Sequence, residues 1–148
     1  MKTKSGVIQR LPEAELDIMM IIWRLESPAR ISQIYVEMSK SHPVTKATLH
    51  TLLARLDSRG FIKTEYHGST LIYKAFYTLV SEEEYRAAET VNFLDKIYHG
   101  SRKRLVASLI GDESITEKDI SELSSILDKA QKRLEKNASA KSEKDNHK

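Results

Sequence analysis

Apolar residues recur at three- and four-residue intervals along most of this chain, and the breaks between runs fall at proline, glycine and serine. After a leader over residues 1–10, Leu11-Pro12-Glu13 opens a helix. Proline suits the first turn, and Glu13, Glu15 and Asp17 complement the positive end of the helix dipole. Leu16, Met19, Met20 and Trp23 follow at core spacing, with Trp23 as an anchor, and Ser27-Pro28 ends the segment. A second helix over 31–39 would bury Ile31, Ile34, Tyr35 and Met38, before Ser41-His42-Pro43 turns the chain. A third helix, capped by Thr45, carries Leu49, Leu52, Leu53 and Leu56 on one side and stops at Gly60. Two runs rich in β-branched and aromatic residues, 61–66 and 71–77, are joined by His67-Gly68-Ser69-Thr70, a hairpin signal. Three helices and then one hairpin predict a winged helix-turn-helix over 1–79, the hairpin being the wing.

Beyond residue 80 the periodicity is helical throughout. Ser81-Glu82-Glu83-Glu84 is a capping box ahead of a stripe made by Tyr85, Ala88, Val91, Leu94 and Tyr98, and His99-Gly100 ends it. Ser101 starts a short helix with Leu105, Val106, Leu109 and Ile110, stopped at Gly111. Thr116 and Asp119 form a second box-like start, leading to Ile120, Leu123, Leu127, Ala130 and Leu134 at the spacing of a helix-pairing seam. Helices of this kind enclose little core by themselves. Residues 80–136 are therefore expected to pack against a second copy, through Leu94, Tyr98, Leu105, Leu109, Ile120, Leu123 and Leu127. Folding back on the first domain is the alternative. Residues 137–148 carry nothing apolar larger than alanine and are expected to be disordered. The fold class is mainly α with one small β-hairpin, a winged helix-turn-helix followed by an α-helical dimerisation region.

On the third helix, Ala47, His50, Thr51, Ala54 and Ser58 lie opposite the leucines, with Thr48 and Arg55 on the flanks. Such a face is small, hydrogen-bonding and partly basic, which lets a helix enter a DNA major groove. The candidate DNA-binding residues are Lys46, Ala47, Thr48, His50, Thr51, Arg55, Lys63 and Lys74. Lys46, Arg55, Lys63 and Lys74 would meet phosphates, while Thr48, His50 and Thr51 would meet base edges. A merely solvated face, or a docking surface for another protein, is the alternative, although the latter favours larger apolar anchors.

Composition bears on these readings. The net charge of +3 is uneven: residues 1–79 hold 11 Lys and Arg against 7 Asp and Glu, whereas 80–148 hold 13 against 14. The basic excess falls with the suspected DNA-reading half. Cysteine is absent, which excludes disulfides, thiolate metal sites and cysteine nucleophiles. The histidines, at 42, 50, 67, 99 and 147, show no ligand spacing, so no metal and no cofactor are expected. No phosphate loop or HExxH motif is present, and an enzyme is not expected. The longest apolar run, 18–23, is too short to span a bilayer, and no signal-peptide pattern opens the chain; a cytoplasmic protein without membrane insertion is expected.

The ordered motifs resemble one family. Leu11-Pro12-Glu13-Ala14-Glu15-Leu16-Asp17-Ile18-Met19, with Trp23 after it, is similar to the opening helix of the penicillinase-repressor (BlaI/MecI/CopY) family. Thr48-Leu49-His50-Thr51-Leu52-Leu53-Ala54-Arg55-Leu56, then Gly60-Phe61, resembles its recognition helix. Asn92-Phe93-Leu94-Asp95-Lys96-Ile97-Tyr98, Leu105-Val106 and Ile120-Ser121-Glu122-Leu123 resemble its C-terminal half. The resemblance implies a dimeric bacterial transcriptional repressor that binds a palindromic double-stranded DNA operator near antibiotic-resistance or related genes. It implies release by a membrane sensor protease that cuts in the dimerisation region, where Ser108-Leu109 stands at the matching site. Thr48, Thr51 and Arg55 match polar family positions that approach DNA. His50 stands where relatives commonly carry a longer basic side chain, and Gly68-Ser69-Thr70 lacks the cation often found at the wing tip. The paired cysteines of the copper-responsive branch are missing.

Overall fold

In the computed structural model, which describes residues 7–145, the chain divides into two compact units, residues up to Ile97 and residues from Tyr98 onward. The first unit contains α1 (Glu13–Arg24), β1 (Ala29–Arg30), α2 (Ile31–Ser41), α3 (Lys46–Ser58), β2 (Ile62–His67), β3 (Tyr73–Thr78) and α4 (Glu82–Tyr98), whose last residue already belongs to the second. The winged-helix order holds, with one addition. The hairpin strands pair antiparallel from Ile62↔Thr78 to His67↔Tyr73, and β1 adds a third strand on the far side of β3 through Ala29↔Phe76 and Arg30↔Ala75. A two-residue strand has no alternation to display, so periodicity does not reveal it.

Leu49, Leu52, Leu53 and Leu56 all face the core, as their spacing requires. Thr45 caps α3, its Oγ1 accepting from the Thr48 N–H at 3.1 Å. The phase of α1 differs from the expected one. The buried residues are Glu15, Ile18, Met19, Ile21 and Ile22, whereas Met20 is exposed and Leu16 and Trp23 are half-buried. Positions 15, 18, 19 and 22 form a regular helical stripe; a carboxylate holds its first place and masks the register in the sequence.

Past the boundary expected at residues 79 and 80, the start of α4 still packs in the first core. Val80 and Tyr85 are buried there. The Tyr85 hydroxyl accepts the Leu11 N–H at 3.0 Å, and its ring meets Phe61 edge-on, centroids 5.9 Å apart. Trp23 donates its indole N–H to the Val80 carbonyl at 2.9 Å. The Ser81 capping box forms reciprocally with Glu84, at 3.0 and 3.4 Å.

The second unit holds α5 (Arg102–Ile110), capped by Ser101, and α6 (Glu117–Asp145), opened by reciprocal 3.1 Å bonds between Thr116 and Asp119. Neither helix buries a residue within one chain. In place of a disordered tail, α6 continues through residues 137–145; residues 146–148 lie outside the described residues. Ala138, Ala140, Lys141, Glu143 and Lys144 are strong helix formers, and neither glycine nor proline interrupts them. No helix among the described residues is long and apolar enough to cross a membrane.

Candidate nucleic-acid interface

α3 is held at both ends, and its outward face follows from that. Thr45 fixes the start, while at the end Asp57 Oδ2 accepts from both the Thr64 N–H at 3.1 Å and the Thr64 hydroxyl at 2.7 Å. Lys46, Ala47, Thr48, His50, Thr51, Ala54, Arg55 and Ser58 are all exposed. Their donors are not equally available. Thr51 donates its hydroxyl proton to the Ala47 carbonyl at 3.1 Å, which leaves an acceptor and a methyl group facing outward. Thr48 Oγ1 accepts from the Thr45 hydroxyl at 2.9 Å and keeps its own proton for a ligand. Lys46 Nζ stands 5.5 Å from the centre of the Tyr35 ring, and both residues line, with His50, Ser32, Val36, Ile31 and Leu49, a recess of about 280 Å3 between α2 and α3.

On the wing the two expected cations differ. Lys63 Nζ lies 3.0 Å from Glu65 Oε1, and this hydrogen bond holds the Glu65 carboxyl below its ordinary range. Lys63 therefore has a competing anion on its own strand. Lys74 is half-exposed, its Nζ 5.8 Å from the Tyr66 ring centre. The strands are joined by residues 68–72 rather than 67–70, so the tip includes Leu71 and Ile72, 81% and 67% exposed. Gly68 makes that turn at φ 101°, where a Cβ would run into the Leu71 carbonyl oxygen.

Two cations of this region escaped the sequence reading. Arg30 lies over the Tyr73 ring, 4.2 Å from its centre, immediately before α2. Arg59 at the end of α3 donates from Nε to Glu15 Oε1 at 3.2 Å. Each adjoins an element boundary, and a basic residue next to the start or end of a suspected reading helix was the available signal.

The residues assigned to pairing are spread differently. Leu94 is 7% exposed and already covered within one chain, whereas Tyr98, Leu105 and Leu123 are half-buried and Leu109, Ile120 and Leu127 are exposed. Ser108 and Leu109 are exposed and lie within the helical turns of α5.

Residues 11–129 match the penicillinase repressor family. Among characterised relatives, the penicillinase repressor of Staphylococcus aureus is 35% identical over 81% of this chain and 92% of its own length. The methicillin resistance regulatory protein MecI of Mammaliicoccus sciuri is 30% identical over 80% and 94%. The penicillinase repressor of Bacillus licheniformis is 25% identical over 85% and 95%.

Proposed function

We propose, from the premise that this chain belongs to the penicillinase repressor family, that it is a homodimeric transcriptional repressor acting by occupancy of a palindromic operator. One observation carries this reading: Ala47, Thr48, His50, Thr51 and Arg55 stand exposed on a helix whose opposite face is fully buried and whose two ends are tied down. Lys46 and Arg55 would bind phosphates, and Thr48, His50 and Thr51 would meet base edges, with Ala47 allowing close approach. Each good base contact contributes about 1–3 kcal/mol, too little for one protomer to select a genomic site.

Pairing supplies the rest. α5 and α6 expose Leu109, Ile126, Leu127 and Leu134 in a single chain, and burying one such side chain is worth about 1.5–3 kcal/mol. A second copy of these helices is the fitting cover. Two reading helices would then meet half-sites roughly 34–36 Å apart, one DNA turn. The relatives named above favour resistance genes as the controlled set. Release by a membrane sensor protease belongs to the same reading. The Ser108–Leu109 bond is exposed but helical, so cutting it requires α5 to open locally.

The test is selection of bound duplexes from a random pool, followed by gel-shift titration. The expected product is a twofold-symmetric sequence bound far more tightly than its scrambled form. Arg55→Ala should weaken binding to both, and His50→Ala should change the selected bases. A pool with no symmetric enrichment would overturn the reading.

A further inference from the structure

Glu15 is the one charged side chain in the core among the described residues, 1% exposed. Its Oε1 accepts from Arg59 Nε at 3.2 Å, and its Oε2 has no hydrogen-bond partner. A carboxylate buried on a single partner is a costly arrangement, often no more stable than an apolar residue in its place. Stability alone does not account for it. The pair's visible effect is on Arg59, whose stem is anchored at the foot of α3.

A guanidinium carries five donors in a rigid planar fork, and Glu15 takes one of them. The Arg59 side chain remains 33% exposed. With Thr51, Ala54, Arg55 and Ser58 it lines an open recess of about 460 Å3 on the outward side of α3. Arg55 has no ion pair among the described residues, and the Thr51 proton is committed to Ala47. The recess therefore offers two guanidinium groups, one held in place and one free, beside the Ser58 hydroxyl. Most of the recess wall is apolar, so its few polar groups, the guanidinium donors among them, decide what it can hold: donors suit an anion, whereas a base edge would need matched acceptors as well.

We infer that this recess seats a backbone phosphate of DNA, with Arg59 as the fixed donor and Glu15 as the positioning residue that holds it. The inference rests on the DNA-binding reading above and adds a contact outside the residues first assigned to it. A pre-placed guanidinium loses little conformational freedom on binding, so the contact grips every sequence equally and sets the register of α3 on the backbone.

Arg59→Gln alone would leave Glu15 buried without its partner, so the informative variant is Glu15→Gln/Arg59→Gln, compared with Glu15→Gln. Both are made in the full chain and checked for cooperative melting. Each is titrated across a salt series with the selected duplex and with its scrambled form. The log–log salt slope of the double variant should be shallower by about 0.9 per bound protomer on both duplexes, with their affinity ratio unchanged. A folded double variant with the slope of Glu15→Gln overturns the inference. If the double variant does not fold, Arg59→Lys decides: the slope should hold while affinity falls several-fold, because a lysine keeps the charge but replaces the rigid, pre-placed guanidinium fork with a flexible point charge, and unchanged affinity counts against the inference. Equal binding of the unaltered protein to selected and scrambled duplexes would sink the repressor reading, yet the slope comparison could still be made on either. A chain that bound neither would sink both.

Discussion

Asp57 and Thr64 couple α3 to the wing: one carboxylate oxygen in the last turn of the helix receives both the backbone N–H and the hydroxyl of a residue in β2. Hydrogen bonds to a charged group contribute about 1.5–3 kcal/mol, and removing the acceptor leaves a half-buried N–H without a partner. Asp57→Ala should therefore lower unfolding free energy by about 2 kcal/mol in a denaturant titration. It should also weaken binding to a selected duplex by more than Thr64→Val does, since that variant keeps the backbone bond. Equal losses in the two variants would show that the backbone bond does not orient the wing.

At the other end of α3, Thr45 satisfies one of the free N–H groups of the first turn. Thr45→Ala should cost about 1 kcal/mol, and Thr45→Asp should retain the cap. Because a carboxylate there would face DNA phosphates, Thr45→Asp is expected to preserve the melting temperature while weakening DNA binding. Parallel melting and gel-shift measurements check the separation of the two effects.

The reading helix was legible in the sequence because its four leucines are separated by alanine, threonine, histidine and arginine, which leave one phase open. α1 was legible as a helix but its buried phase was not, since the run 18–23 is apolar at every position and Glu15 hid the first member of the buried stripe. Local chemistry located the caps at Thr45, Ser81, Ser101 and Thr116, each within three residues of its partner. What depends on distant pairing was not readable: the strand at Ala29, set by Phe76, and the place of Tyr85, set by Leu11 and Phe61. The same holds for the interface. Charge and spacing point to Arg55, but neither shows that Glu65 lies beside Lys63, nor that Arg59 is held by a buried Glu15 from a helix more than forty residues earlier.

Glu65 places a negative charge on the wing, and its folded value lies below the ordinary carboxylate range because Lys63 bonds to it. A depressed folded value means that the stabilisation is present above the unfolded value and is lost only as pH falls through the folded one. Throughout the neutral range Glu65 thus stays ionised and competes with DNA phosphates for Lys63. Glu65→Gln removes that competition. Its DNA affinity at low salt should rise several-fold on every sequence, and the salt slope should steepen by up to about 0.9 per protomer. An unchanged slope would show that Lys63 does not reach the backbone.

Leu127 offers the most direct test of pairing, since it is 64% exposed on a helix that buries nothing within one chain. Leu127→Glu removes no intrachain core contact, so helix content and the melting of the first unit should not change. If α6 is covered by its copy, the substitution buries a charge against apolar side chains, and sedimentation should show a monomer at concentrations where the unaltered chain is a dimer. The monomer retains every residue of the proposed DNA-facing surface. Its affinity for a half-site duplex should therefore match that of the unaltered protein, while its preference for the full symmetric site should disappear. A variant that sediments as a dimer would move the interface off this stretch of α6. Loss of half-site affinity would mean instead that the second unit takes part in reading DNA.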